Sequence, residues 1–131
     1  MNILVGYDGS KAAGEALELA RKRAKVWGAK IDVVKCMAQN RELNYDDIQK
    51  VEHQLEREVR AQFNSDDVPH ETHLVISGRQ FGEDLVQFAE QKKINEIVIG
   101  VRRRSKAGKL LFGSTAQYVI LNAPCPVVSI K

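Results

Sequence analysis

Short apolar runs alternate along the chain with stretches whose apolar residues recur every three or four positions, so strand and helix are predicted in turn. Ile3, Leu4 and Val5 form the first run and end at Gly6, and Asp8-Gly9-Ser10 follow as turn and cap residues. Ala13, Leu17, Ala20, Ala24 and Trp27 then mark one helical face, with Ser10 as N-cap and Gly28 in the C-cap position. The β-branched stretch from Ile31 to Met37 predicts a second strand, and Asp32 and Lys35 suggest partial exposure at its ends. Ile48, Val51, Leu55, Val59 and Phe63 predict a second helix, capped by Asn44 or Asp46 and ended by the segment from Ser65 to Pro69.

A third strand is predicted over Glu71 to Ile76, before Ser77-Gly78, and a third helix by Phe81, Leu85, Phe88 and Ala89. Ile97, Val98 and Ile99 run uninterrupted into Gly100, the composition of a strand buried on both faces of a parallel sheet. Gly113-Ser114-Thr115 opens a last helix that packs through Ala116, Val119 and Ile120 and stops before Pro124. Pro126 to Ile130 reads as the closing strand, with proline at its first residue, where a missing N–H is tolerated. Four strand–helix alternations and a final strand predict an α/β fold: a doubly wound, five-stranded parallel sheet with helices on both faces and right-handed crossovers. The 131 residues suit one domain spanning 1–131. Ligands of such sheets bind beyond the C-terminal strand ends where strand order reverses, which directs attention to the loops after strands one and four.

Composition narrows the function classes. With 44% apolar and 28% charged residues the chain sits near the globular average, far from the disordered corner. A formal charge of +3 is too small to mark a nucleic-acid surface. No run approaches the ~18 apolar residues of a membrane span, and Met1 to Ser10 lacks the pattern of a secretory signal. Cys36 and Cys125 lack zinc-type spacing and read as reduced thiols, which points to the cytoplasm. His70 and His73, three apart in a predicted strand, should face opposite sides of the sheet and so share no metal. A Walker A loop is absent, because Gly108-Lys109 is followed by Leu110 and Arg103 stands at the motif's first position. No Ser-His-Asp or Cys-His arrangement is evident, and Cys125, between two prolines, reads as packing.

Two segments distant in sequence are expected to converge: Asp8-Gly9-Ser10 and the region from Gly100 onward. Gly113-Ser114-Thr115 at a helix start offers backbone N–H groups, two hydroxyls and the positive end of the helix dipole, the makings of a phosphate site. The loop from Val101 to Lys109 adds Arg102, Arg103, Arg104, Lys106 and Lys109. Each piece has a plainer reading as well: a helix cap, a solvated basic turn, and, for Asp8, a turn residue.

The segments Ile3 to Ser10, Ile97 to Gly100, Leu110 to Thr115 and Asn122 to Val127, in that order and spacing, resemble the universal stress protein family across essentially the whole chain. The resemblance implies a Rossmann-like sheet of order 3-2-1-4-5 that binds ATP or a related adenine nucleotide, with or without Mg²⁺, and acts in stress response without efficient catalysis. It places Asp8 near ribose and phosphates, where it can hold Mg²⁺ through the nucleotide. The backbone around Cys36 flanks the base, Gly100 floors the site, and Gly113, Ser114 and Thr115 bind phosphate. For Cys36 a buried core thiol is the other reading. Nucleotide-binding members carry glycine, two residues, glycine, nine residues, then glycine with Ser or Thr. Here Gly100 and Gly113-Ser114 match, but Arg103 replaces the middle glycine.

A guanidinium at Arg103 can fork onto phosphate oxygens, whereas left-handed geometry forced on a non-glycine residue costs roughly 1–2 kcal/mol. Two functions therefore stand open: a nucleotide-binding stress protein, and a dimeric regulatory or interaction protein that has lost the nucleotide. Hydrolysis, if any, is expected to be slow, since no general base is identifiable. Nucleic acid is not an expected partner, because the basic loop lacks interleaved aromatic residues. The resemblance also implies a homodimer through Pro126–Ile130, an apolar strand expected at a sheet edge.

Overall fold

The computed structural model describes residues 1–40, 42–64, 68–101 and 113–131, over which strand and helix alternate throughout. The elements are β1 (Asn2–Gly6), α1 (Lys11–Trp27), β2 (Lys30–Ala38), α2 (Tyr45–Phe63), β3 (His70–Ser77), α3 (Phe81–Gln91), β4 (Glu96–Gly100), α4 (Ser114–Asn122) and β5 (Val127–Ile130). All strand pairs are parallel, in the order β3-β2-β1-β4-β5. The expected doubly wound α/β sheet is therefore present, and its order reverses between β1 and β4. Among the described residues no helix is long and apolar enough to cross a membrane.

Period-two alternation along the strands divides the core into two layers. Ile3, Val5, Ile31, Val33 and Val98 face Leu17 of α1 and Leu55, Val59 and Phe63 of α2. Leu4, Val34, Ile97 and Ile99 face Leu85 and Val86 of α3 and Ala116 and Val119 of α4. Burying these side chains is the main favourable term in folding.

Local signals set the helix ends. Ser10 accepts the Ala13 N–H at 3.1 Å, and Gly28, in left-handed geometry, closes α1 with its N–H on the Ala24 carbonyl. Of the two expected caps for α2, Asn44 is the one used: its Oδ1 accepts from Asp47 N–H at 2.9 Å. Asn64, also left-handed, ends that helix, while Ser65–Asp67 lie outside the described residues.

Three expectations need correction. Trp27 is 61% exposed, and the buried stripe of α1 runs through Ala13, Ala16, Leu17, Ala20 and Ala24. A heptad-like spacing drifts about 20° per seven residues on a straight helix, which turns the last turn toward solvent. Ile120 is 46% exposed because α4 buries its Ala116–Val119 side instead. Asp32 is buried, held by His73 Nε2 at 2.8 Å on the face of the sheet that α3 covers. His70 and His73 do face opposite sides: His70 meets Phe63 of α2 edge-on, and His73 tilts against Phe88 of α3.

Candidate functional site

The reversal of strand order leaves a crevice beyond the C-terminal ends of β1 and β4. On one side the chain leaves β1 through Asp8-Gly9-Ser10. Gly9 takes φ +82°, a conformation that side chains with a Cβ rarely adopt, and this lets Ser10 N–H reach Asp8 Oδ1 at 2.9 Å. The turn is thereby locked before α1 begins. On the other side Gly100 ends β4 against the first turn of α1. A Cβ there would lie 2.6 Å from the Ala12 carbonyl carbon and 2.8 Å from Ala12 Cβ, so only glycine allows this approach.

The third wall is the start of α4. Gly113 has no side chain to cap the helix, and the first intrahelical bond is Gln117 N–H to the Gly113 carbonyl at 3.0 Å. The amides of Ser114, Thr115 and Ala116 therefore have no acceptor among the described residues. This differs from α1, where Ser10 supplies its own cap. An uncapped helix start carries a concentrated partial positive charge, and an anion satisfies it.

These walls enclose a cleft of about 300 Å³, lined by Asp8, Ser10, Gly100, Gly113, Ser114 and Thr115, with Phe81 and Leu85 as its apolar side. A second cleft of about 290 Å³ shares Asp8 and Phe81 with it and is lined further by Tyr7, Lys35, Cys36, Met37 and Arg79. Five of the seven expected site residues thus share one cleft, and Cys36 lines the adjoining one. Arg103 and the other basic residues from Arg102 to Lys109 lie outside the described residues.

The second cleft shows why Cys36 is no nucleophile. Burial, reinforced by the neighbouring Asp84 carboxylate, pushes its thiol up to about 12, so it stays protonated at neutral pH. Cys36 is a half-buried thiol that packs against the core, and it also lines this cleft. Asp84 is buried and accepts the Ser77 hydroxyl at 2.8–2.9 Å, and Ser77 Oγ in turn accepts Arg79 N–H at 3.1 Å. That chain of bonds shapes the turn that brings Arg79 to the cleft. Burial and the nearby Glu58 raise the pKa of the Tyr7 phenol.

Sequence reading missed Phe81, Arg79, Lys35 and Tyr7 as site residues. Phe81 reads as the first apolar position of α3, and Lys35 as a partly exposed strand-end residue. Their usable signal is topological: Tyr7 lies just beyond β1, Lys35 in the C-terminal half of β2, and Arg79 and Phe81 beyond β3, all toward the end of the sheet where the crevice opens. Chemically, the paired clefts offer amide and hydroxyl donors, two cations and an apolar wall. Asp8 is the only carboxylate among the described residues lining the first cleft, which suits holding an anionic, partly aromatic ligand.

Comparison with known proteins agrees with this geometry. The model of the universal stress protein family matches residues 1–131. A universal stress protein of Thermus aquaticus is 34% identical over 134 residues, covering 98% of this chain and 97% of its own. A universal stress protein structure from Archaeoglobus fulgidus superposes with a TM-score of 0.85 at 34% identity, covering 100% of this chain and 98% of the other. A structure from the same organism in complex with dAMP superposes with a TM-score of 0.80 at 30% identity, covering 100% and 98%. Family model, whole-length relatives and fold agree: the chain belongs to the universal stress protein family.

Proposed function

We propose that the protein binds an adenine nucleotide, ATP among them, in the paired clefts and serves as a nucleotide-responsive element of the cytoplasmic stress response. The observation that carries this reading is the uncapped start of α4 opening onto the cleft formed by Asp8 and Gly100. Phosphate would take the amides of Ser114 to Ala116 and the hydroxyls of Ser114 and Thr115. Base and ribose would lie toward Tyr7, Cys36 and Phe81 in the adjoining cleft, and Asp8 sits where it would meet ribose or a phosphate-bound Mg²⁺. The related dAMP complex supports the ligand class.

Isothermal titration of the nucleotide-free protein with ATP, with and without Mg²⁺, tests the proposal. Micromolar binding is the expected result, and absence of heat or competition at millimolar ATP overturns it. An Arg103→Gly variant measured in parallel assigns the role of that residue: weaker binding means its guanidinium holds phosphate, tighter binding that it obstructs.

The same reading includes a homodimer through the closing strand. β5 lies at the sheet edge, where among the described residues no strand pairs with its outer side, and Leu121 of the preceding helix is 73% exposed. Val128→Lys should give monomers by light scattering, with circular dichroism showing a retained fold. A folded variant that stays dimeric refutes the assignment.

A further inference from the structure

On the α3-covered face of the sheet, away from the cleft-lining end of β2, three potential metal ligands converge. The parallel register sets Asp32 of β2 opposite Glu71 of β3 and Val34 opposite His73, so Asp32, Glu71 and His73 share one face of adjacent strands. One ligand atom from each lies within 4.8 Å of the others. His73 Nε2 is 2.8 Å from Asp32 Oδ1 and 3.8 Å from Glu71 Oε2.

Burial is graded across the cluster. The Asp32 side chain is only 7% exposed, that of His73 26% and that of Glu71 57%. A buried carboxylate needs its oxygens satisfied, yet no described residue donates a hydrogen bond to Asp32 Oδ2. Lys30 Nζ stands 3.8 Å from Asp32 Oδ1 and closer, at 3.1 Å, to Glu71 Oε1. His73 is held in place by Phe88, with ring centroids 4.9 Å apart. The result is a rigid floor, an oriented imidazole and an exposed carboxylate at the mouth.

We propose that Asp32, Glu71 and His73 form a binding site for a divalent transition-metal cation, with Zn²⁺ as its representative. One imidazole nitrogen and two carboxylate oxygens form a borderline-to-hard donor set, the carboxylates offset the charge of the dication, and three protein ligands leave a position for water. Ligand atoms about 2.1 Å from a tetrahedral zinc lie roughly 3.4 Å from one another, so the His73–Asp32 pair, now 2.8 Å apart, opens around the ion in place of their hydrogen bond while the exposed Glu71, 3.8 Å from His73, rotates inward. Lys30 competes for the same carboxylate and is displaced on binding.

Titration of the intact chain with zinc chloride, followed by calorimetry and by competition with a chromophoric chelator, tests the site. One zinc per chain is expected. His73→Gln and Asp32→Asn should each weaken it by at least about tenfold, while Lys30→Met should tighten it. Glu71→Gln alters only the exposed ligand, so it decides the matter should Asp32→Asn fail to fold; a loss of at least about fivefold is expected. Absence of binding at millimolar zinc overturns the site. So does zinc affinity that is unchanged in folded His73→Gln and Glu71→Gln, which would place the metal elsewhere.

Discussion

Gly100→Ala is expected to destabilise the protein by about 3 kcal/mol and to lower its melting temperature by about 10 °C. The added methyl would meet the Ala12 carbonyl oxygen and would lie 2.6 Å from the carbonyl carbon. These are backbone atoms in the first turn of α1, so no rotamer change relieves the contact. Relief requires α1 to move off β4, and α1 carries the buried alanine stripe that closes one layer of the core. Overpacking against side chains costs roughly 1–3 kcal/mol, and rigid backbone on the receiving side places this case at the upper end. Thermal melts followed by circular dichroism measure it, and a melting temperature within about 2 °C of the parent contradicts the packing described.

Gly113→Val, in the same cleft, is expected to behave in the opposite way: nucleotide affinity falls by at least about 100-fold, while the cost in stability is about 1 kcal/mol or less. Gly113 has φ −65° and ψ 159°, extended backbone that valine adopts without strain, and its Cβ would meet no described atom within 4 Å. The only expense to the fold is a poorer N-cap residue. The branched side chain would stand over the uncapped amides of α4, in the space proposed for phosphate. Calorimetry with ATP on a variant of near-parental melting temperature separates a lost binding site from a lost fold. Undiminished binding would move the phosphate away from α4.

The fold was legible because its signals are local. Ser10, Gly28 and Asn44 act as the caps their residue types advertise, and Ile97-Val98-Ile99 lies in a strand buried on both faces. Asp8, Gly100 and Gly113-Ser114-Thr115 were legible as a group because strand ends beside a reversal point converge whatever their sequence separation. What failed to show depends on tertiary neighbours. Trp27 and Ile120 fit helical periods but lie beyond the surfaces that bury α1 and α4. Asp32 reads as an exposed strand residue because its partner His73 lies on another strand, at a register no local pattern reveals. Arg79 and Lys35 reach the second cleft only through the turn braced by Ser77 and Asp84 and the position of β2 beside β1.

Amide chemical-shift mapping of the isotope-labelled protein during titration with AMP tests adenine-nucleotide binding most directly, because it reports both whether the ligand binds and where. Binding in the paired clefts should shift the amides of Gly9, Gly100, Ser114 and Thr115 and those around Cys36, and leave Glu71 and His73 unmoved. A titration to millimolar AMP that moves none of the cleft amides, or that saturates with its shifts confined to another surface, would contradict nucleotide binding at this site.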